Sequence, residues 1–165
     1  MITEPLHVAV VNDKQLRFFR SPNNDARPDF PWHSTDDLQS VFGLNRAQCR
    51  IVTTMWWNGP YEDVFHTVET SDGLVAIAPH CVALAAIFSL VELIGSGLTD
   101  DIERAYSIGW TDACKKLHGD LRGVSLEMWM HAAWDRYDEY DVADSTLDSF
   151  ASRVRDSLRK FTLQC

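Results

Sequence analysis

Asn45, Arg46, Gln48 and Arg50 crowd the start of one helical stretch. These are the residue types that read base edges in the major groove of DNA: arginine pairs with guanine, glutamine and asparagine with adenine. They follow Thr35-Asp36-Asp37-Leu38-Gln39-Ser40-Val41-Phe42-Gly43, a short helix closed by a glycine. Leu38, Phe42, Leu44, Cys49 and Val52 take the buried spacings of a helix-turn-helix, with the second helix as the reading element. Gln39 departs from that pattern, since a small residue usually stands where two such helices touch. The plainer alternative is a helical hairpin whose polar face is only solvated.

A second constellation is acidic. Asp135, Tyr137, Asp138, Glu139, Tyr140 and Asp141 run together, continued by Asp144 and Asp148, with Arg136 as the lone cation among them. Such a run can dock a protein partner with a basic surface or imitate nucleic-acid charge; the alternative is solubility at a helix–helix connection. Cys114 and His118 stand four apart, and His80 adjoins Cys81, which sketches a zinc site. The ordinary reading is a small core cysteine and solvated or structural histidines, so no metal is expected. Glu127, His131 and Asp135 repeat every four residues, either a histidine base between carboxylates or a solvated face with weak helix pairs. His33 and His66 read as isolated structural histidines. The sequence contains no G-x-S-x-G, no Walker A loop and no G-x-G-x-x-G. No set of nucleophile, base and stabiliser can be assembled, so no catalytic residue, cofactor or enzyme activity is expected.

The elements that must carry these residues follow from pattern. Leu6 to Val11 and Leu16 to Phe19 are β-rich runs, predicting a hairpin with Asn12 to Gln15 as its connection. Ser21 to Pro31 holds three prolines and reads as loop. Ser34 caps the first helix, with Asp36 and Asp37 in its first turn, and Gly43 ends it. The second helix runs from about Asn45 to Trp56. Val64 to Thr70 and Leu74 to Ala78 form a second hairpin across Ser71-Asp72-Gly73. A buried helix is expected from Cys81 to Ile94. Beyond Gly95-Ser96-Gly97 only helices are expected. One begins at Thr99, with Ile102, Ala105, Tyr106, Gly109, Ala113 and Leu117 on one face. The next is capped by Ser125, with Leu126, Trp129, Met130, Ala133, Trp134 and Tyr137 as its stripe. The last starts at Asp144, with Leu147, Phe150, Val154, Leu158 and Phe161 as its stripe.

Composition bounds the function. The 165 residues carry 15 Lys and Arg against 24 Asp and Glu, a net charge of −9, which excludes a non-specific nucleic-acid coat or an anionic-membrane binder. Six tryptophans and a 45% hydrophobic share give material for a real core. Gly73 to Val91 is uncharged, but Pro79 divides it into a strand and a helix, so no membrane span is expected. Four scattered cysteines and the lack of a basic-led apolar leader read as a cytoplasmic protein with free thiols.

The N-terminal part also resembles a known family. A β-hairpin leads to Pro31-Trp32-His33-Ser34-Thr35-Asp36-Asp37-Leu38. Phe42-Gly43-Leu44 follows, and then a second hairpin containing Thr70-Ser71-Asp72-Gly73-Leu74-Val75. Over residues 6–94 this looks like the Bro-N domain of phage antirepressors. The resemblance implies a regulatory role in a phage or mobile element, exerted through duplex DNA or through another regulator. The expectation is thus an α+β fold. A 1–95 domain holds two hairpins, the helix-turn-helix-like pair and a buried helix. A helical 98–165 region packs on it or joins two copies into a homodimer. The alternative function is an acidic inhibitor or adaptor that binds protein and never touches DNA.

Overall fold

The computed structural model describes residues 2–23, 27–57, 64–80, 82–83, 99–119 and 123–140. The first hairpin is tighter than its pattern suggests. β1 (His7–Val11) and β2 (Lys14–Phe19) pair antiparallel from His7 opposite Phe18 to Val11 opposite Lys14. Only Asn12 and Asp13 turn, with φ of 51° and 58°. Two consecutive left-handed residues give a turn whose twist matches the strands, and Asn and Asp are the non-glycine types that tolerate it. Lys14 and Gln15 therefore belong to β2, not to a four-residue connection.

Trp32–Ser34 forms a third strand, β3, which the pattern did not reveal because three residues are too few for a period of two. It joins the hairpins. Phe18 and Phe19 of β2 oppose His33 and Trp32, and His33 and Ser34 oppose Ala78 and Ile77 of β5 (Gly73–Ala78). β5 pairs with β4 (His66–Thr70) across Ser71 and Asp72, with Gly73 at φ 117°. The result is one five-stranded antiparallel sheet in the order β1-β2-β3-β5-β4. It is curled. The amide of Thr3, four residues before β1 on one edge, donates to Glu69 O of β4 on the other at 2.7 Å. Four residues reach at most about 14 Å, whereas the edges of a flat five-stranded sheet lie about 19 Å apart.

α1 (Thr35–Val41) continues directly from β3 and runs beside β2. Ser34 caps it, its Oγ accepting from Asp37 N. The hairpin grips α1 at both ends. Asp37 accepts from the backbone N and Nε of Arg17 through Oδ2 (2.9 and 2.7 Å) and from Nη2 through Oδ1 (2.8 Å). Asn12 Nδ2 donates to Val41 O, and Lys14 Nζ donates to Ser40 O. α1 has no basic residue in its own last turn, and the hairpin supplies side-chain donors to two of its final carbonyls. α2 spans Arg46–Trp57.

The described C-terminal elements are helices, α3 (Asp100–Gly119) and α4 (Leu126–Tyr140), capped by Thr99 and Ser125 as their sequences predict. α3 lies against β1. Its Ala113 shares a core with Ala9, Val11, Leu16, Phe18, Leu38 and Val41, while Ile102, Ala105, Tyr106 and Trp110 pack around it. Gly109 sets the approach: a Cβ there would sit 2.5 Å from Ala9 Cβ. A second cluster, Phe19, Trp32, Val75 and Ile77, draws its members from β2, β3 and β5. On α4, Trp129 and Ala133 close over Phe30, but Leu126, Met130 and Trp134 of the expected stripe stay 50%, 37% and 44% exposed. Arg136 is buried instead. No helix among the described residues is long and apolar enough to cross a membrane. The helix expected over Cys81–Ile94, the Gly95–Gly97 joint and the helix from Asp144 lie largely or wholly outside the described residues.

Two stability predictions follow from this packing. Asp37→Ala lowers unfolding free energy by about 2–3 kcal/mol in urea titrations, because it strands a mostly buried guanidinium and a strand amide. Gly109→Ala costs about 1–3 kcal/mol through overpacking, and adding Ala9→Gly restores part of it. A Gly109→Ala protein as stable as the parent would show that α3 does not need this close approach.

Candidate functional site

The junction between α1 and α2 is built from the backbone groups left over at two helix ends. Gly43 takes φ 73°, Gly43 N donates to Ser40 O and Leu44 N donates to Gln39 O, the paired bonds of a Schellman stop. Two residues later α2 opens with a capping box. Asn45 Oδ1 accepts from Ala47 N and Gln48 N, both at 3.0 Å, and Gln48 Oε1 accepts from Asn45 N at 2.9 Å. The amide oxygens of Asn45 and Gln48, two of the four side chains expected to read bases, thus cap their own helix end. An asparagine before a helix finds backbone donors close at hand, which is why it caps this one.

Arg46 and Arg50 remain. They are exposed, one turn apart on α2, and neither makes an ion pair with a described residue. With Lys14 they border a cleft of about 500 Å³ between α1 and α2, whose wall includes Asp36, Gln39, Leu44, Cys49 and Thr53. Gln39 is 4% exposed and spans the two helices, its Nε2 donating to Thr53 Oγ1 at 3.4 Å. A long amide thus fills the contact where a helix-turn-helix usually has a small residue. Burial, with Asp37 beside it, pushes the Asp36 carboxyl above its usual range, opposed by Arg17. Three cations therefore face one carboxylate that burial makes harder to ionise, a local reversal of the chain's −9.

A second constellation was not legible in the sequence. His33 Nε2 and His80 Nδ1 meet at 2.8 Å. The ring planes lie 19° apart with centroids 5.0 Å apart, the geometry of two imidazoles bonded edge to edge. Trp110 stacks on His80 at 4.5 Å, and Tyr106 Oη lies 3.5 Å from His80 Nδ1. Burial, helped by the neighbouring His80, holds His33 well below the ordinary histidine range, and burial pushes His80 down to about 3. One ring must donate and the other accept, and His33 Nδ1 has no partner in either tautomer. An unpaired buried acceptor costs less than an unpaired buried N–H, which favours His33 Nε2 as the donor. The two histidines are 47 residues apart in sequence. Only the pairing of His33 with Ala78 brings His80 alongside.

The remaining candidates stay apart. Asp135 is exposed on α4; Tyr137, Asp138, Glu139 and Tyr140 extend that helix, their side chains outside the described residues, as is Asp141 entirely. Glu127, His131 and Asp135 are exposed. His118 Nε2 is bonded to Val124 O at 3.0 Å, and burial pushes the Cys114 thiol up to about 12. His80 is bonded to His33. Among the described residues, no group of three or more His, Cys, Asp or Glu could hold a metal ion. No protein-family description, curated protein or solved structure matches this chain.

The histidine pair makes stability pH-dependent. In the unfolded chain a histidine takes a proton near pH 6.5, while folded His33 and His80 resist it. The stability they permit is complete above pH 6.5 and declines as pH falls towards about 3. Each contributes a slope of about 1.4 kcal/mol per pH unit where only its unfolded form is protonated. Unfolding free energies between pH 6 and 4 should show this decline, and His80→Gln should flatten it. An unchanged slope in that variant would locate the acid sensitivity elsewhere.

Proposed function

We propose that this chain is a regulatory protein of the antirepressor type found in phages and mobile elements, acting through duplex DNA, with α2 laid against the phosphate backbone. The observation that carries this reading is the exposed Arg46 and Arg50, one turn apart and without acidic partners among the described residues, in a chain of net charge −9. The N-terminal end of α2 supports it further. No acid stands in its first turn, so the positive end of the helix dipole adds to the two guanidinium groups. Because Asn45 and Gln48 are held in the capping box, the arginines position the helix, and direct base reading plays the smaller part. The resemblance of residues 6–94 to the Bro-N domain agrees with a regulator of this kind.

A second reading rests on α4. Leu126, Met130 and Trp134 follow at intervals of four along one stripe, Trp134 edge-on to Phe30, while Met128, 67% exposed, stands on the other side of the helix, and Glu127 and Asp135 are on the same helix. An apolar centre with acidic neighbours suits a protein partner with a basic rim. On this reading the chain is an inhibitor or adaptor that does not contact DNA. Co-purification from the native host, with and without nuclease, separates the two: a nuclease-sensitive complex supports the first, a nuclease-resistant one the second.

Fluorescence anisotropy with labelled duplexes at low salt tests the DNA reading. Binding should weaken with added salt. Arg46→Ala and Arg50→Ala should each reduce the slope of log affinity against log salt by about one. Gln48→Ala should lower stability by about 1 kcal/mol while leaving that slope unchanged. Absence of binding to any duplex at low salt would remove the DNA reading.

A further inference from the structure

The cleft between α1 and α2 has a feature that a duplex cannot use. Gln39 is buried, one end of its amide bonds Thr53, and among the described residues Oε1 has no partner. Exchanging the amide oxygen and nitrogen does not cure this, because Thr53 Oγ1 can serve either atom and the other end is again left over. Buried polar groups are nearly always paired, so an unmet amide in the wall of a cleft marks a place for a ligand atom. The rigid backbone of a duplex presents phosphates on a convex surface and does not reach a residue 4% exposed, whereas a small molecule seated in the cleft that Gln39 lines needs only a turn of the amide to meet Oε1. The volume, about 500 Å³, falls in the range of small-molecule sites. Arg46, Arg50 and Lys14 offer an anion site at the border, and Leu44 and Cys49 offer apolar surface within. The Cys49 thiol is held protonated by burial and by Asp36, so it serves there as an apolar group.

We propose that the α1–α2 cleft binds a small phosphorylated ligand of the nucleotide class. Its phosphate lies among Arg46, Arg50 and Lys14. Its ring system covers Leu44 and Cys49, and one of its polar ring or sugar groups completes the amide of Gln39. A bare anion would satisfy the cations and leave Gln39 unmet; a nucleoside would do the reverse. The inference does not rest on DNA binding. Where both hold, the shared arginines make ligand and duplex competitors, which gives the regulator an effector.

Isothermal titration of the full chain at low salt provides the test, using the four common nucleoside 5′-monophosphates, inorganic phosphate and adenosine as probes. At least one nucleotide should bind about tenfold or more tightly than either inorganic phosphate or adenosine. Arg50→Ala, at an exposed position, should weaken that nucleotide about tenfold. Gln39→Leu should erase most of its advantage over inorganic phosphate. Thermal melts establish that each variant is folded, and if Gln39→Leu is not, Arg50→Ala together with the probe series decides. No nucleotide binding at millimolar concentration, equal affinity for inorganic phosphate, or unchanged affinity in Arg50→Ala would overturn the proposal. Nucleotide binding without duplex binding would remove the DNA reading and leave this one standing.

Discussion

The carboxylate of Asp37 holds the hairpin and the first helix together, and the rest of the N-terminal architecture depends on that grip. β3 is only three residues long, so it pairs with β2 at Phe18 and Phe19 and leaves the amide of Arg17 without a strand partner on that side. α1 begins where β3 stops. Asp37, in its first turn, takes that amide and the guanidinium of the same arginine. The pair is mostly buried, at 17% and 13% side-chain exposure, where removing one partner is far more damaging than at the surface. At the other end of α1 the β1–β2 turn returns the favour through Asn12 and Lys14. A seven-residue helix has little intrinsic stability, so these tertiary bonds are what make it a fixed platform for α2.

The histidine pair fastens a different joint. His33 lies in the middle strand of the sheet, His80 just after β5, and Tyr106 and Trp110 one turn apart on α3. Their rings are close to parallel: His33 and Tyr106 lie 16° apart, His80 and Trp110 15°. Sheet, α3 and the helical residues at His80 thus meet around one N–H···N bond. An apolar pair of similar volume would leave no unpaired atom and no acid sensitivity. Retaining imidazoles here gives directional contact between three elements, at the expense of an unpaired His33 Nδ1.

Charge is distributed in a way the total conceals. Most acids of the described helices sit in first turns, as in α1 and α3, or on exposed faces of α4, as with Asp135, and the mid-helix Asp112 of α3 is paired with Lys115. α2 has none in its first turn. The three cations around the α1–α2 cleft come from two distant segments, Lys14 from β2 and both arginines from α2. Among the described residues these cations share a recess in a chain of net charge −9, whose field repels polyanions at long range. The exposed apolar face of α4 stands apart from the recess in sequence and in character.

The sequence by itself determined the features governed by local chemistry. Both hairpins, the caps at Ser34, Thr99 and Ser125, the glycine stop at Gly43 and the buried face of α3 were legible, since capping residues, positive-φ glycines and helical periodicity act within a few residues. Arg46 and Arg50 were legible as exposed cations on a helix for the same reason. What the tertiary structure alone decided were matters of pairing between distant segments. β3 gained its identity from neighbours on both sides, not from a pattern of its own. Asn45 and Gln48, of suitable type for base reading, were claimed by the helix end they stand on. The stripe of α4 was split because α4 turns Trp129, Ala133 and Arg136 inward, leaving Leu126 and Met130 outside and Trp134 half-exposed against the edge of Phe30. His33 and His80 became a bonded pair only through strand register, because a hydrogen bond between residues 47 apart leaves no trace in the spacing of either.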